Sequence, residues 1–348
     1  MDKKLRAPGQ PAAGCPGSDS SSVMRRLAKR FLRLCGLALS LTLFSTHAPA
    51  GPAAGLLRGE LTLYSESGPN IWAQGPFRIN FMRTGGESVP PADANGNNCP
   101  DFIEDMAKQL VAAHHIFINK AGFRSPFGSP RYSGLEYILV VVRAKTNKIL
   151  KGSNGRSYDE MTRAKALVMA IAREIDPAGN ATPAHEYFHC IENGLTYFKN
   201  TWYSEGMARW AEDAVSAVRP ILRSGTEIKK MLDDPALLRI LYASSYKAAD
   251  LLWRPLAHLC PETGAALAPD DPVLSLKYSN GAPVVRGVSL PGAAFMNLLL
   301  QKFGELDDTA FVDNGYGSWS EANQKNQKNN PYIVEAVKEL LASTCGQR

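Results

Sequence analysis

Histidine and cysteine are both scarce in this chain, six of each among 348 residues, and no apolar run is long enough to anchor it across a bilayer. So little cysteine excludes a small disulfide-stapled scaffold, and such short runs exclude a membrane-spanning bundle. No internal repeat is evident, which removes solenoids and propellers. A basic excess is also missing from the body of the chain. The formal charge is +6, yet eight basic and two acidic side chains fall in the first fifty residues, so the remainder carries 31 of each sign. An electrostatic footprint for nucleic acid is therefore lacking, and pairs such as Lys229 and Lys230 read as solvated surface.

The first fifty residues read as an export signal. Arg25, Arg26, Lys29, Arg30 and Arg33 form a basic region, residues 34–44 a short apolar run, and Ala48-Pro49-Ala50 a small-residue cleavage site. The polar stretch ahead of them is either an extension of the leader or lies upstream of a true start at Met24. Cys15 and Cys35 leave with the signal. Cys99, Cys190, Cys260 and Cys345 would then enter an oxidising compartment, where an even count allows two disulfides in any of three connectivities. The expected protein is secreted or periplasmic, with no membrane anchor once the signal is removed.

Against this background the pentapeptide HEYFH, spanning 185–189, stands out. On a helix His185 and His189 are four residues apart, so both imidazoles leave from one face and can share a metal, with Glu186 beside them. Thr182 reads as an N-cap, Pro183 as the first helical residue and Gly194 as the residue that closes the helix. A third ligand comes from a second helix if Glu205, in WYSEGMARWAED, faces the first. The fourth tetrahedral position then stays open for water, as in catalytic zinc sites. Two histidines on an ordinary amphipathic helix are the bland alternative. Cys190 is one residue past a ligand, about 100° round the helix, and is expected as a disulfide partner or buried thiol.

HEYFH followed by W-Y-S-E-G-M-A resembles the gluzincin pattern of clan MA metallopeptidases, HExxH with a downstream W-x-x-E-G-x-A, known especially from secreted bacterial proteins. Residues 77–110 are similar to the strand, Asp/Asn-rich turn and helix that precede the active site there, with a weaker echo at 291–304. The resemblance implies zinc on His185, His189 and Glu205, Glu186 as catalytic base, and an exported endopeptidase acting on a peptide or protein. It also implies an oxyanion donor from the C-terminal lobe, for which His258 and Tyr278 are available. One position departs from thermolysin-like enzymes, where an aspartate follows the glutamate ligand by four residues: this chain has Arg209. Support for the histidines must come from elsewhere, with Glu212 and Asn193 as candidates. Two other readings remain open, a non-catalytic zincin-fold surface binding protein and a zinc amidase acting on cell-wall peptides.

The expected fold is α+β and zincin-like. Residues 51–217 would form an N-terminal lobe with a mixed sheet and the active-site helix, and 218–348 a mostly helical C-terminal lobe. Alternating Leu61 and Leu63, then Phe77, Ile79 and Phe81, predict half-buried strands. Phe102, Ile103, Met106, Leu110 and Val111 predict a helix running to Ile118, and 135–142 and 166–175 two further strands, joined by a long polar loop. His114, His115, Trp202 and Trp210 read as packing residues. Helices are expected at 226–246, 248–259, 291–303 and 331–342. Asp93, Asn95, Asn97, Asp101 and Glu104 stand at positions 1, 3, 5, 9 and 12 of a twelve-residue loop, the spacing of a calcium site. Asn98 stands where such loops carry glycine and Pro100 interrupts it, so an Asx-turn capping the next helix is the competing reading.

Overall fold

A computed structural model describes residues 58–63, 69–146, 152–153, 166–216, 220–260 and 265–345. The chain divides into two units, Met1–Pro49 and Ala50–Arg348, and every described residue belongs to the second. The export-signal reading and most of the 144–165 loop lie outside the described residues.

Period-two alternation builds the sheet. Strands β1 (Gly59–Leu63), β2 (Asn70–Gln74) and β3 (Phe77–Phe81) form an antiparallel meander, with Gly75 at φ 53° in the second turn. Phe77, Ile79 and Phe81 are buried while Arg78 and Asn80 face outward. Helix α1 (Asp101–His114), continued by a π-helical turn at His115–Lys120, carries the chain to β4 (Tyr137–Arg143), which pairs parallel to β3. The short β5 (Gly152–Ser153) and then β6 (Ala166–Ala172) follow. β6 is parallel to β4 and antiparallel to β5, giving the order β1-β2-β3-β4-β6-β5. The sheet is thus mixed. In one register row Trp72, Ile79, Val140 and Met169 are all buried, and each such apolar side chain contributes about 1.5–3 kcal/mol.

Phe102, Ile103, Met106 and Leu110 cover the sheet from α1, as their helical spacing predicts. His114 and His115 point apart: His114 pairs with Tyr187 at 2.6 Å and His115 with Asp271 at 3.1 Å. The remaining elements are helical for the most part. They are α2 (Thr182–Leu195), α3 (Thr201–Ala211), α4 (Gly225–Asp233), α5 (Pro235–Tyr242) and α6 (Arg254–Leu259). A small ribbon, β7 (Ala265–Ala266) with β8 (Ser289–Leu290), precedes α7 (Ala293–Asp313), α8 (Glu321–Gln324) and α9 (Asn330–Thr344). The fold class is α+β. No helix among the described residues is long and apolar enough to cross a membrane.

Several boundaries differ from expectation. The helix expected over 226–246 breaks at Asp234, whose extended backbone is imposed by Pro235 and whose carboxylate accepts from Ala236 N at 2.7 Å to start α5. The helix at 248–259 opens as a π-helical turn, Ala249–Trp253. The one expected from 291 to 303 runs on to Asp313. One disulfide is present among the described cysteines, Cys260–Cys345, tying the end of α6 to the end of α9. Cys99 and Cys190 are buried free thiols, so the second bridge does not form.

Candidate metal centre

Helix α2 holds the motif; its N-terminus is secured by the neighbouring Asn180 and the distant Gln109, and its C-terminus by Ser129 and Arg131. Thr182 is already helical. Asn180 Oδ1 accepts from its N–H at 2.9 Å, and Gln109 Oε1 on α1 accepts from Ala184 N at 3.1 Å. Gly194 does not end the helix, which continues to Leu195 and stops at extended Thr196. A Cβ at Gly194 would meet Ser129 Cβ and Tyr132 Cε2 at 3.4 Å, ordinary packing distances. Ser129 Oγ donates to Gly194 O at 2.6 Å, and Arg131 donates to the carbonyls of Asn193 and Thr196, satisfying groups that a helix C-terminus leaves open. Tyr187, Phe188 and Ile191 face the core, which turns His185, His189 and Glu192 toward α3.

Helix α3 answers with Glu205. His185 Nε2 and His189 Nε2 are 3.1 Å apart, and Glu205 Oε2 lies 3.3 Å from the first and 3.7 Å from the second. All three donors fall within 4.8 Å of one another. A tetrahedral ion with bonds of about 2.0–2.1 Å separates its ligands by about 3.3 Å, so the triangle has the edge lengths such an ion needs. The donor set, two imidazoles and a carboxylate, is also one that catalytic zinc accepts. Three residues that the sequence placed on two helices are thereby brought together around room for one metal ion.

Carboxylates back both imidazoles. Glu212 Oε1 is 3.0 Å from His185 Nδ1, as expected. The partner of His189 is Glu192, with Oε2 2.6 Å from Nδ1, and Asn193 does not reach the ring because its amide donates to the carbonyl of His189 at 2.7 Å. Glu192 follows His189 by three residues and so shares its helix face, a signal present in the sequence. Arg209, the departure from the thermolysin-like pattern, donates to Glu212 Oε2.

The charges reflect this wiring. Burial alone would lower both histidines, but hydrogen bonds to Glu205 and Glu212 raise His185, and those to Glu192 and Glu205 raise His189 well above the usual range. Glu205 goes the other way: burial resists ionisation, yet its two imidazole partners hold it far below an ordinary carboxylate. Burial pushes Glu192 up to about 7, with His189 partly offsetting it. Glu186, buried between the two histidines in sequence, is outside the triangle but close enough for its charge to raise His185. Cys190 turns away, its thiol contacting Glu186 O at 3.6 Å.

Neither expected oxyanion donor reaches the triangle. The hydroxyl of Tyr278 is taken up by Gln109 Nε2 at 3.0 Å, and burial pushes its pKa up to about 12. His258 is on α6 and makes no hydrogen bond or ring contact with the triad among the described residues. The tyrosine that does reach is Tyr246, just before the π-helical turn. Its ring centre is 5.7 Å from that of His185, its hydroxyl is within hydrogen-bonding reach of Glu205, and 56% of it is exposed. No pattern in the sequence marks it.

In the 93–104 loop the five expected residues do converge. Asp93 accepts from the backbone N–H of Asn97 and Asn98, and Asp101 from that of Ala94. The amides of Asn95 and Asn97 lie 2.9 and 2.7 Å from the two oxygens of Glu104. Asn98 takes the glycine position with φ 62°, a left-handed conformation that asparagine tolerates. Asn95 and Asn97 make the Asx-turn contacts of the competing reading, accepting from the N–H of Asn97 and Cys99, but no side chain of the loop caps the helix.

Compared with protein-family models, curated proteins and solved structures, the chain matches none of them.

Proposed function

We propose that this chain is an exported zinc-dependent peptide hydrolase, an endopeptidase, with His185, His189 and Glu205 as ligands and Glu186 as general base. The observation that carries the reading is the closed triangle of two imidazoles and one carboxylate at zinc-ligand spacing. Zinc held there would polarise a scissile carbonyl and make a water acidic enough to lose its proton near neutral pH.

The rest of the reaction falls to the chain's own groups. Glu186, adjacent to the first ligand on α2, accepts the proton of the attacking water on its carboxylate and returns it to the leaving amine. Glu192 and Glu212 hold their imidazoles with Nδ1–H donating outward, which leaves both Nε2 lone pairs aimed inward. Tyr246 keeps its proton, because burial and then the charge of Glu205 raise its pKa. A half-exposed, protonated phenol on the open side of the ligand set suits donation to a developing oxyanion. Export is supported by the leader-like first fifty residues and by the Cys260–Cys345 bridge, which suits an oxidising compartment.

For the 93–104 loop we propose calcium as a bracing ion. The support is the convergence of Asp93, Asn95, Asn97, Asp101 and Glu104 at the oxygen-bearing positions of the loop, with both oxygens of Glu104 already drawn to its centre by the amides of Asn95 and Asn97. Added calcium should raise the melting temperature; no shift would leave the Asx-turn as the whole account of the loop.

The main test is to purify the protein, measure bound metal, and compare hydrolysis of a broad peptide library with that of Glu186→Gln. Loss of turnover with zinc retained is the expected result. Stoichiometric metal with no hydrolysis by either protein would favour a non-catalytic binding protein.

A further inference from the structure

The two carboxylates behind the ligand histidines are alike in geometry and unlike in charge. Glu212 has both oxygens occupied, Oε1 by His185 Nδ1 and Oε2 by the guanidinium of Arg209, whose side chain is 48% exposed. Its negative charge is therefore shared with a permanent cation. Glu192 has no such partner. Oε2 bonds His189 Nδ1 at 2.6 Å, Oε1 has no hydrogen-bond partner, and the side chain is only 2% exposed. No lysine or arginine side chain hydrogen bonds Glu192, whose carboxylate bonds the His189 imidazole alone.

A carboxylate on one nitrogen of a ligand histidine raises the basicity of the other, within reach of the metal, and less so when a cation shares its charge. For Glu192 that reach runs through one imidazole ring: Nδ1 faces the carboxylate and Nε2 faces the ligand triangle. An ion at the triangle would therefore feel the whole charge of Glu192. Glu212 gains less from the same ion, because Arg209 already offsets it.

We infer that Glu192 is the positioning residue that sets the affinity of the metal centre, acting through His189, and that Arg209 mutes the equivalent contribution of Glu212 through His185. The inference rests on the metal-centre reading above. It makes the two histidines unequal ligands, with His189 the stronger donor.

Zinc and cobalt affinities should be measured by chelator competition on the full-length native protein and on Glu192→Gln, Glu212→Gln and Arg209→Met. Glutamine keeps an acceptor for Nδ1–H and removes only the charge. Glu192→Gln should weaken binding about 10–100-fold, the range usual for outer-shell partners of a ligand histidine. Glu212→Gln should cost clearly less, and Arg209→Met should tighten binding. The cobalt absorption bands should shift more for Glu192→Gln than for Glu212→Gln. Equal losses for the two glutamine variants, or a larger loss for Glu212→Gln, would overturn the inference. A native protein that binds neither metal would instead overturn the metal-centre reading itself, and the native measurement shows that separately.

Discussion

Trp253 lies flat against Trp202, with ring centres 5.6 Å apart and planes 12° from parallel, and its indole N–H donates to the carbonyl of Trp202 at 3.0 Å. This stack seats α3 against the π-helical turn and fixes the depth at which Glu205 is presented. Only glycine fits where the two elements touch, beside the ligand: a Cβ on Gly206 would come within 2.5 Å of Trp253 Nε1 and 2.9 Å of Ala248 Cβ.

Gly206→Ala therefore cannot be absorbed by a rotamer change, because the tryptophan it meets is stacked and hydrogen bonded. Overpacking of this kind costs about 1–3 kcal/mol. The variant should melt below native and bind metal more weakly, since the strain falls one residue from Glu205. A melting curve and a chelator titration check both; native-like values in both would show that α3 can shift freely.

Tyr246→Phe separates oxyanion stabilisation from metal binding. It keeps the ring against His185 and removes the hydroxyl beside Glu205. Metal affinity should change little while kcat falls about 100-fold or more, the effect typical of one lost oxyanion donor. Steady-state kinetics on any library substrate decides it, and an unchanged kcat would remove Tyr246 from the mechanism.

Stability should also depend on pH in a definite direction. Burial pushes Asp213 and Asp307 up to about 6, against hydrogen bonds that partly offset it. Their folded pKa values lie above the unfolded ones, so the folded state holds more protons between about pH 4 and 6, and their stabilising contribution is lost as pH rises through that window. Asp307→Asn should flatten the slope of melting temperature against pH between 4 and 6. The raised histidines add a second effect, because protons compete with metal for Nε2. The rise in melting temperature on adding zinc should be larger at pH 8 than at pH 6, and calorimetry at both values tests it.

The Cys260–Cys345 bridge closes a loop of 85 positions that contains α7, α8 and all of α9. Reduction should cost about 2–4 kcal/mol, seen as a lower melting temperature in reductant and in Cys345→Ser. Because the bridge ties α6 to α9 and not to α2 or α3, zinc affinity measured at room temperature should be unaffected.

The ligand set was legible because it obeys local rules. His185, His189 and Glu205 are read from helix periodicity, and Glu192 could have been read the same way, three residues after His189. The strands at 77–81, 137–143 and 166–172 were likewise visible as alternation and β-branched runs. Residues that act across long sequence separations were hidden. Gln109 caps α2 from 75 positions away, Arg131 closes its other end from 62, and Tyr246 reaches Glu205 with nothing beside it to mark the role. The expectations for Thr182 and Gly194 failed for different reasons: Asn180, two residues earlier, takes the capping role given to Thr182, while Ser129 and Arg131 bond the carbonyls at the end where Gly194 was expected to close the helix.

From His185 to Glu212 the ligands and their backing carboxylates span 27 positions of chain. A helical hairpin, α2 and α3 with their short connection, thus contains all the groups of the centre, and closing it needs no strand pairing and no distant loop. Such low contact order allows these groups to meet early in folding. The sheet, α1 and the C-terminal helices then act as a clamp on a pre-assembled cluster, which makes this hairpin the natural piece to transplant onto another scaffold.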